Sequence, residues 1–539
     1  MRNGGGRRKR VELRVPFLVL CVLGSGLGLL MLMSRPLDVR TSVAFPKASK
    51  KGSNLDSKHR VASKTCATVE EMGKPFKRAL GKESLRVRRI IHNHFIVNGA
   101  SRVRDLPPEQ FCSHGFVLGK TAEAGFGNEM YKVLTAAALS VMLNRSLIIG
   151  KTRGKYPFGD YISYSNFTFT MEEIKHLWRH KRCESKYGKK LVMRIDDFMK
   201  PIETNVLCSN WKKWKQPIIW FQGTTDSMAA QFFLKNIHSE MRIVALDLFG
   251  DPKVPELRPN VFGELMRVLI SPSQDVEAAV NWVIGAGENP HFSLHMRMLM
   301  NDRSIGAIQA ALRCLRKVIQ SQPLMSSRPK VVLVSDTPAL VKRIKSNISE
   351  FAEVLHFDYE KFRGSIFKSL PTSDFRKKDW GVAPRWVAFV DFFLASRARH
   401  GAISGAHRRV GTTYAQLIAA LAAAYNLGDK WSSSRFIFLS SFQSSLLSNG
   451  LKNQNGWGHV WSRYAGPQSC HNQGSQCAFT PILPFAWWDA LWQSPLPRDI
   501  HRLASYGVPL SSLGAVDNSF LQNHCKKRKY LVRTIKFNL

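Results

Sequence analysis

Acidic residues are scarce in this chain. Asp and Glu number 39 against 79 Lys and Arg over 539 residues, a net charge of +40. So basic a chain is suited to nucleic acid, an anionic surface or an anionic small molecule. Several chemistry-bearing motifs are missing. No Walker sequence and no GxSxG elbow occurs, which excludes a P-loop nucleotidase and an α/β-hydrolase serine site. No CxxC and no Cys/His zinc spacing occurs. No DxD-type run marks a metal-bound sugar nucleotide; Asp196 and Asp197 are adjacent rather than spaced, so no metal ligand set is expected. Gly125-Phe126-Gly127-Asn128 lacks the last glycine of a dinucleotide fingerprint, since Met130 stands there. No internal repeat appears, which argues against a solenoid or propeller.

One long apolar run is present. Val15 to Met33 carries no charge over 19 residues, enough to span a bilayer core. Arg2, Arg7, Arg8, Lys9, Arg10 and Arg14 precede it, against Glu12 alone, and the positive-inside rule keeps that end cytosolic. The run ends in Met31, Leu32 and Met33 rather than in small residues, so a retained type II signal anchor is expected instead of a cleaved signal peptide. The rest of the chain then faces the secretory lumen, which argues against nucleic acid as partner. Of nine cysteines, Cys21 lies in the run. The other eight are expected to form disulfides, with Cys470 and Cys477 flanking a polar turn as the nearest local pair. Asn144, Asn166 and Asn347 head sequons and are candidate N-glycan sites.

Pro36 to about Ser63 reads as a flexible basic stem. From Cys112 the texture becomes that of a globular α/β protein. Phe116–Leu118 reads as a buried strand, Met130–Leu143 as a helix and Ser146–Ile149 as a second strand. The alternation returns later. Ser271-Pro272 is expected to cap a helix, His291–Met296 to be a strand, and Ile305–Ile319 a helix. Lys330–Ser335 is a valine-rich strand, with Thr337-Pro338 opening the next helix. Trp386–Ala398 reads as helix, His400–Ser404 as strand and Val410–Ala424 as helix. Two such runs predict two Rossmann-like halves built on parallel sheets, with ligands beyond the carboxyl ends of the strands. The tail from Trp431 is rich in tryptophan.

Five places on this frame could carry chemistry. The Gly125–Asn128 loop opens a helix, where backbone N–H groups favour an anion. His295 and Arg297 share one side of a strand end, and arginine binds phosphate bidentately. Ser335-Asp336 ends another strand. Asp391 lies in a very apolar run and needs a partner. Ile403 to Tyr414 (ISGAHRRVGTTY) makes a small-residue turn into a helix, with Arg408 and Arg409 adding positive charge. Taken singly, each has a bland explanation: a tight turn, a surface ion pair, a helix cap, a structural partner.

Their order resembles the protein O-fucosyltransferases and the wider fucosyltransferase superfamily, which includes the alpha-1,6 enzymes and plant-type O-fucosyltransferase-like proteins. The resemblance runs from about Cys112 to Ala424. It rests on the Gly-Phe-Gly-Asn loop, Leu143-Asn144-Arg145-Ser146-Leu147, His295-x-Arg297, Ser335-Asp336, and the Asp391 helix leading into a serine-containing turn. It implies a GT-B-like α/β architecture and an inverting transfer of fucose from GDP-fucose with no required cofactor. Together with the charge and hydropathy reading above, the expected organisation is a cytosolic tail 1–14, an anchor 15–33, and a stem and lead-in 34–111. An acceptor-side Rossmann-like domain 112–270, a nucleotide-sugar-side domain 271–430 and a C-terminal extension 431–539 follow.

The resemblance further implies that Arg297 holds the diphosphate and stabilises the departing nucleotide. His295, Asp336 and Asp391 support the guanosine side. Ser404, Gly405, Thr412 and Thr413 line a phosphate turn, and Gly125 and Gly127 shape the loop. Asn128 sits between donor and acceptor. Glu123 and Glu129 are the candidate bases. Two departures stand out: Glu129 replaces a common glutamine, and the MLMNDRS segment after Arg297 differs from relatives. Some superfamily members resemble pectin rhamnosyltransferases that use a UDP-sugar. Another nucleotide deoxysugar such as UDP-rhamnose, or a non-catalytic glycan-binding role on a Golgi membrane, therefore remains alternative.

Overall fold

The computed structural model describes residues 66–483 apart from 78–80, 122–124, 151–157, 188–190, 198–205, 223–231, 253, 255–256, 300, 302, 323–327, 363–382, 385, 408–411, 429–435, 449–469 and 471, together with 504, 518–527 and 533–536. The expected anchor at 15–33 and stem, Glu123, Arg408, Arg409 and the tryptophans 457, 461, 487, 488 and 492 lie outside the described residues. Among the described residues no helix is long and apolar enough to cross a membrane.

Two six-stranded sheets carry the fold. The first contains β1 (Phe116–Lys120), β2 (Ser146–Gly150), β4 (Phe169–Thr170), β5 (Val192–Asp197), β6 (Ile218–Gln222) and β14 (Arg533–Lys536), ordered β14-β5-β6-β1-β2-β4. The second contains β8 (Phe292–Arg297), β9 (Lys330–Ser335), β10 (Glu353–Leu355), β11 (Gly401–Ala406), β12 (Ile437–Phe442) and β13 (Gln476–Phe479), ordered β10-β9-β8-β11-β12-β13. All pairings are parallel except the edge strands β13 and β14, which are antiparallel. A small antiparallel pair joins β3 (Ile162–Tyr164), which follows β2, to β7 (Ile270–Pro272), which precedes β8.

The second sheet has the doubly wound order 3-2-1-4-5-6 if β8 is counted first. Its chain reverses direction across the sheet between β8 and β11, where ligands bind beyond the strand ends. The first sheet has its own reversal between β1 and β6. The strands are readable because both faces are covered. Phe116, Val117 and Leu118, or Val331 to Val334, are all buried.

The helices used below are α1 (Gly81–Asn98), α2 (Phe126–Leu143), α3 (Val261–Leu269), α4 (Gln274–Ile284), α5 (Ile305–Gln320), α6 (Pro338–Ser349), α7 (Val387–Ala395), α8 (Thr413–Asn426) and α9 (Asn518–Lys527). α4 is capped by Ser273, whose side chain accepts from Val276 N. The expected Ser271-Pro272 cap is instead part of β7, because those residues pair with Ile162 and Ser163.

The region from 65 to 539 forms one compact unit. α3 and α8 cross closely: a Cβ on Gly263 would fall 2.1 Å from the Ala420 carbonyl oxygen, and Asn260 Nδ2 donates to that oxygen at 2.6 Å. Arg88 of α1 binds buried Glu264 at 2.8 Å and also donates to the Ala424 carbonyl at the end of α8. α8, which carries part of the site, is therefore held to α1 and α3 by direct hydrogen bonds.

Four disulfides join Cys66–Cys470, Cys112–Cys183, Cys208–Cys525 and Cys314–Cys477. All eight cysteines outside the apolar run are paired, but the local pair expected at Cys470–Cys477 does not form. Cys477 sits in β13, whose antiparallel seat beside β12 brings it to Cys314 of α5. Cys470 instead holds the lead-in at Cys66. Glu70 of that lead-in accepts from Cys477 N at 3.1 Å, so the lead-in is bonded to the exposed edge of β13.

Candidate active site

A cavity of about 350 Å³ lies where strand ends of the second sheet meet the N-termini of α2 and α8. Gly125, Phe126, Gly127 and Asn128 reach it from α2. His295, Arg297 and Leu299 reach it from β8 and the turn after it, Ser335 and Asp336 from the end of β9. Asp391 comes from α7, and Thr412, Thr413 and Tyr414 from the start of α8. Four motifs far apart in the chain thus converge with the Asp391 helix on one space.

Arg297 lies at the last position of β8. One nitrogen, Nη1, binds Asp336 Oδ2 at 2.7 Å. The rest of its fork has no partner among the described residues, and its side chain is 34% exposed. Asp336 also accepts from the backbone N–H of Met298 at 2.7 Å and of Leu299 at 2.9 Å. The carboxylate therefore anchors both the guanidinium and the turn behind it. Leu299 adopts φ of 54°, an uncommon left-handed conformation for a branched side chain.

His295 is buried, with Nδ1 unpartnered, and its ring lies 5.1 Å from that of Tyr414. Burial lowers its pKa to about 4; nearby Asp336 opposes this and Arg297 adds to it. The imidazole is therefore neutral at pH 7. Asp391 is buried with Oδ1 unpartnered, and burial alone raises its pKa well above the carboxylate range. Two buried polar side chains with unmatched atoms on a cavity wall are what a ligand with complementary polar groups would satisfy.

The two helix starts add positive potential. The first turn of a helix leaves backbone N–H groups without intrahelical partners, and its dipole favours an anion. Phe126 supplies the apolar backing, with its ring 4.6 Å from Phe392 and 5.8 Å from Tyr414.

Other expected residues lie elsewhere. Glu129 is fully buried and its carboxylate binds Lys132 at 2.7 Å; it does not line the cavity. One residue beyond Asn128, α2 has turned that position by 100° onto the packed side. Glu123 lies outside the described residues. Ser404 and Gly405 are interior to β11, which runs on to Ala406, and neither lines the cavity. A Cβ on Gly405 would meet Met296 Sδ at 2.4 Å, so this glycine serves packing. Thr412 caps α8 through Ala415 N at 3.0 Å. Phe126, Tyr414 and Leu299 were not singled out from sequence. Tyr414 ends the quoted turn and was within reach; the conformation of Leu299 leaves no trace in composition. Among the described residues no group of three or more His, Cys, Asp or Glu is arranged to hold a metal ion.

A family model matches residues 61–537. The chain belongs to DUF7810, a family of unknown function. No curated protein matches this family member. Among solved structures, it is similar to a mutant of Arabidopsis thaliana FUT1 in complex with GDP. The identity is 12% over 62% of this chain and 77% of that one, with a TM-score of 0.41. It is also similar to NodZ alpha-1,6-fucosyltransferase soaked with GDP-fucose, at 13% identity over 57% and 92%, TM-score 0.33. A third likeness is to POFUT1 in complex with GDP, at 11% identity over 60% and 98%, TM-score 0.33.

Proposed function

We propose that this protein is a glycosyltransferase of GT-B type that transfers fucose from GDP-fucose to a protein or glycan hydroxyl, with inversion and without a resident metal. The observation that carries the reading is Arg297: a half-free guanidinium at the reversal point of a doubly wound sheet, facing two helix N-termini across a cavity. The order of sequence motifs supports the choice of donor. As the acceptor oxygen bonds to the sugar's anomeric carbon, the bond to the diphosphate breaks and negative charge grows on the leaving phosphate. A fixed arginine and two helix dipoles stabilise that charge. Asp336 holds the arginine in place. Neutral His295, together with buried Asp391, meets the nucleoside. The acceptor hydroxyl's proton passes to solvent water or to a base other than Glu129, Glu123 being the remaining candidate from the sequence.

The apolar run at 15–33 and the four disulfides support a type II protein with its catalytic part in the oxidising Golgi lumen. The test is sugar release by the full-length protein from GDP-fucose and UDP-rhamnose, alongside thermal shifts with GDP and UDP. Turnover of GDP-fucose and stabilisation by GDP are expected. Stabilisation by UDP alone would remove fucose from the reading, and binding of a glycan but no nucleotide would make this a lectin.

A further inference from the structure

Gly127 and Thr413 touch across the cavity. A Cβ at Gly127 would fall 2.7 Å from Thr413 Oγ1 and 2.8 Å from Tyr414 N, so only glycine lets the two helix starts come this close. Beside that contact, Thr413 Oγ1 donates to Asn128 Oδ1 at 3.0 Å. The hydroxyl proton of Thr413 is therefore engaged by another side chain and does not point at a ligand. An amide whose oxygen is held in this way has its nitrogen fixed as well. Asn128 lines the cavity, and its Nδ2 has no partner among the described residues.

We propose that Thr413 is a positioning residue: it orients the Asn128 amide so that Nδ2 donates into the cavity where charge develops during transfer. This rests on the function proposed above. It differs from the phosphate-turn role that family resemblance suggests for Thr413, and the two roles separate in measurement. A phosphate ligand contributes to nucleotide affinity. A residue acting through Asn128 contributes to the chemical step, because a donor displaced by a fraction of an ångström fails only in the transition state.

In the full-length protein, Thr413→Val keeps the shape and removes the hydroxyl. Its kcat with GDP-fucose should fall roughly 10- to 100-fold, while the Kd for GDP stays within about twofold and the melting temperature is little changed. Thr413→Ser should recover most of the rate. In an Asn128→Ala background, Thr413→Val should cost little more, because the residue it acts through is gone. A GDP affinity that falls in step with kcat overturns the proposal in favour of a phosphate contact. Additive losses in the double variant, or no recovery with serine, overturn it as well. A wild-type protein that neither binds GDP nor turns over GDP-fucose would sink the underlying function, and this inference with it.

Discussion

Arg145 and Arg297 both stand in motifs that carry the family resemblance, yet they sit at opposite ends of their sheets and do different work. Arg145 precedes β2, at the amino ends of the first sheet's strands. It is 9% exposed and donates to three carbonyls, Gln216 at 2.9 Å, Pro217 at 3.3 Å and Trp214 at 2.6 Å. Burial lowers its pKa to about 10. Gly115 makes room: a Cβ there would lie 2.9 Å from the guanidinium. Nearby, His114 and Ser146 bond to each other at 2.8 Å. Arg297 ends β8 at the carboxyl ends of the second sheet, with one anchoring carboxylate and an open fork. A buried arginine held by three backbone carbonyls pins the chain entering β6. One half-saturated on a cavity wall is ready for an anion. The difference lies in the partner inventory, which sequence alone does not print.

The largest effect that would break this comparison is at Arg145. Arg145→Ala takes the donor from the part-buried carbonyls of Trp214 and Gln216, while Pro217 keeps the Phe116 N–H, and each lost partner costs about 1–3 kcal/mol. A loss of about 3 kcal/mol or more in urea unfolding is expected, and a loss under about 1 kcal/mol would mean that Arg145 is not structural. The next effect is pH-dependent. The folded-state pKa values of His114 and His295 are lowered, mainly by burial, from 6.5 to about 4. As pH falls through 6.5 the unfolded chain takes protons that the folded protein refuses. Stability should therefore decline between pH 6.5 and about 4, by up to about 1.4 kcal/mol per pH unit for each histidine. His114→Gln and His295→Gln should each flatten that slope in pH-resolved denaturation, but only His295→Gln should also weaken GDP binding. The smallest effect is at Leu299. Leu299→Gly relieves a left-handed backbone but loosens the unfolded chain, so a change within about 1 kcal/mol, on the stabilising side, is expected in the urea midpoint.

Much of the fold was legible because strands buried on both faces are nearly continuous runs of apolar residues. Lys330–Ser335 needed no more than its valines and the Thr337-Pro338 stop. The cavity was legible as five separate motifs because doubly wound sheets place strand-to-helix turns at one end. What failed depended on distance in space or on a single turn of helix. Glu129 looked available beside Asn128, but one residue along α2 is enough to rotate it into an ion pair with Lys132. Cys470 and Cys477 looked paired because they are near in sequence, while β13 had already carried Cys477 to Cys314. Gly405 looked like the start of a turn because the expected strand ends at Ser404, while β11 runs on to Ala406.

The most direct test of the account is calorimetric titration of GDP into the full-length wild-type protein and into Arg297→Ala. Wild type should bind GDP. The variant should keep its melting temperature, since Asp336 still accepts from two backbone N–H groups, and lose at least about tenfold in affinity with the charge-assisted contact. Equal GDP affinity in the two proteins would contradict the assignment of Arg297 as the phosphate anchor.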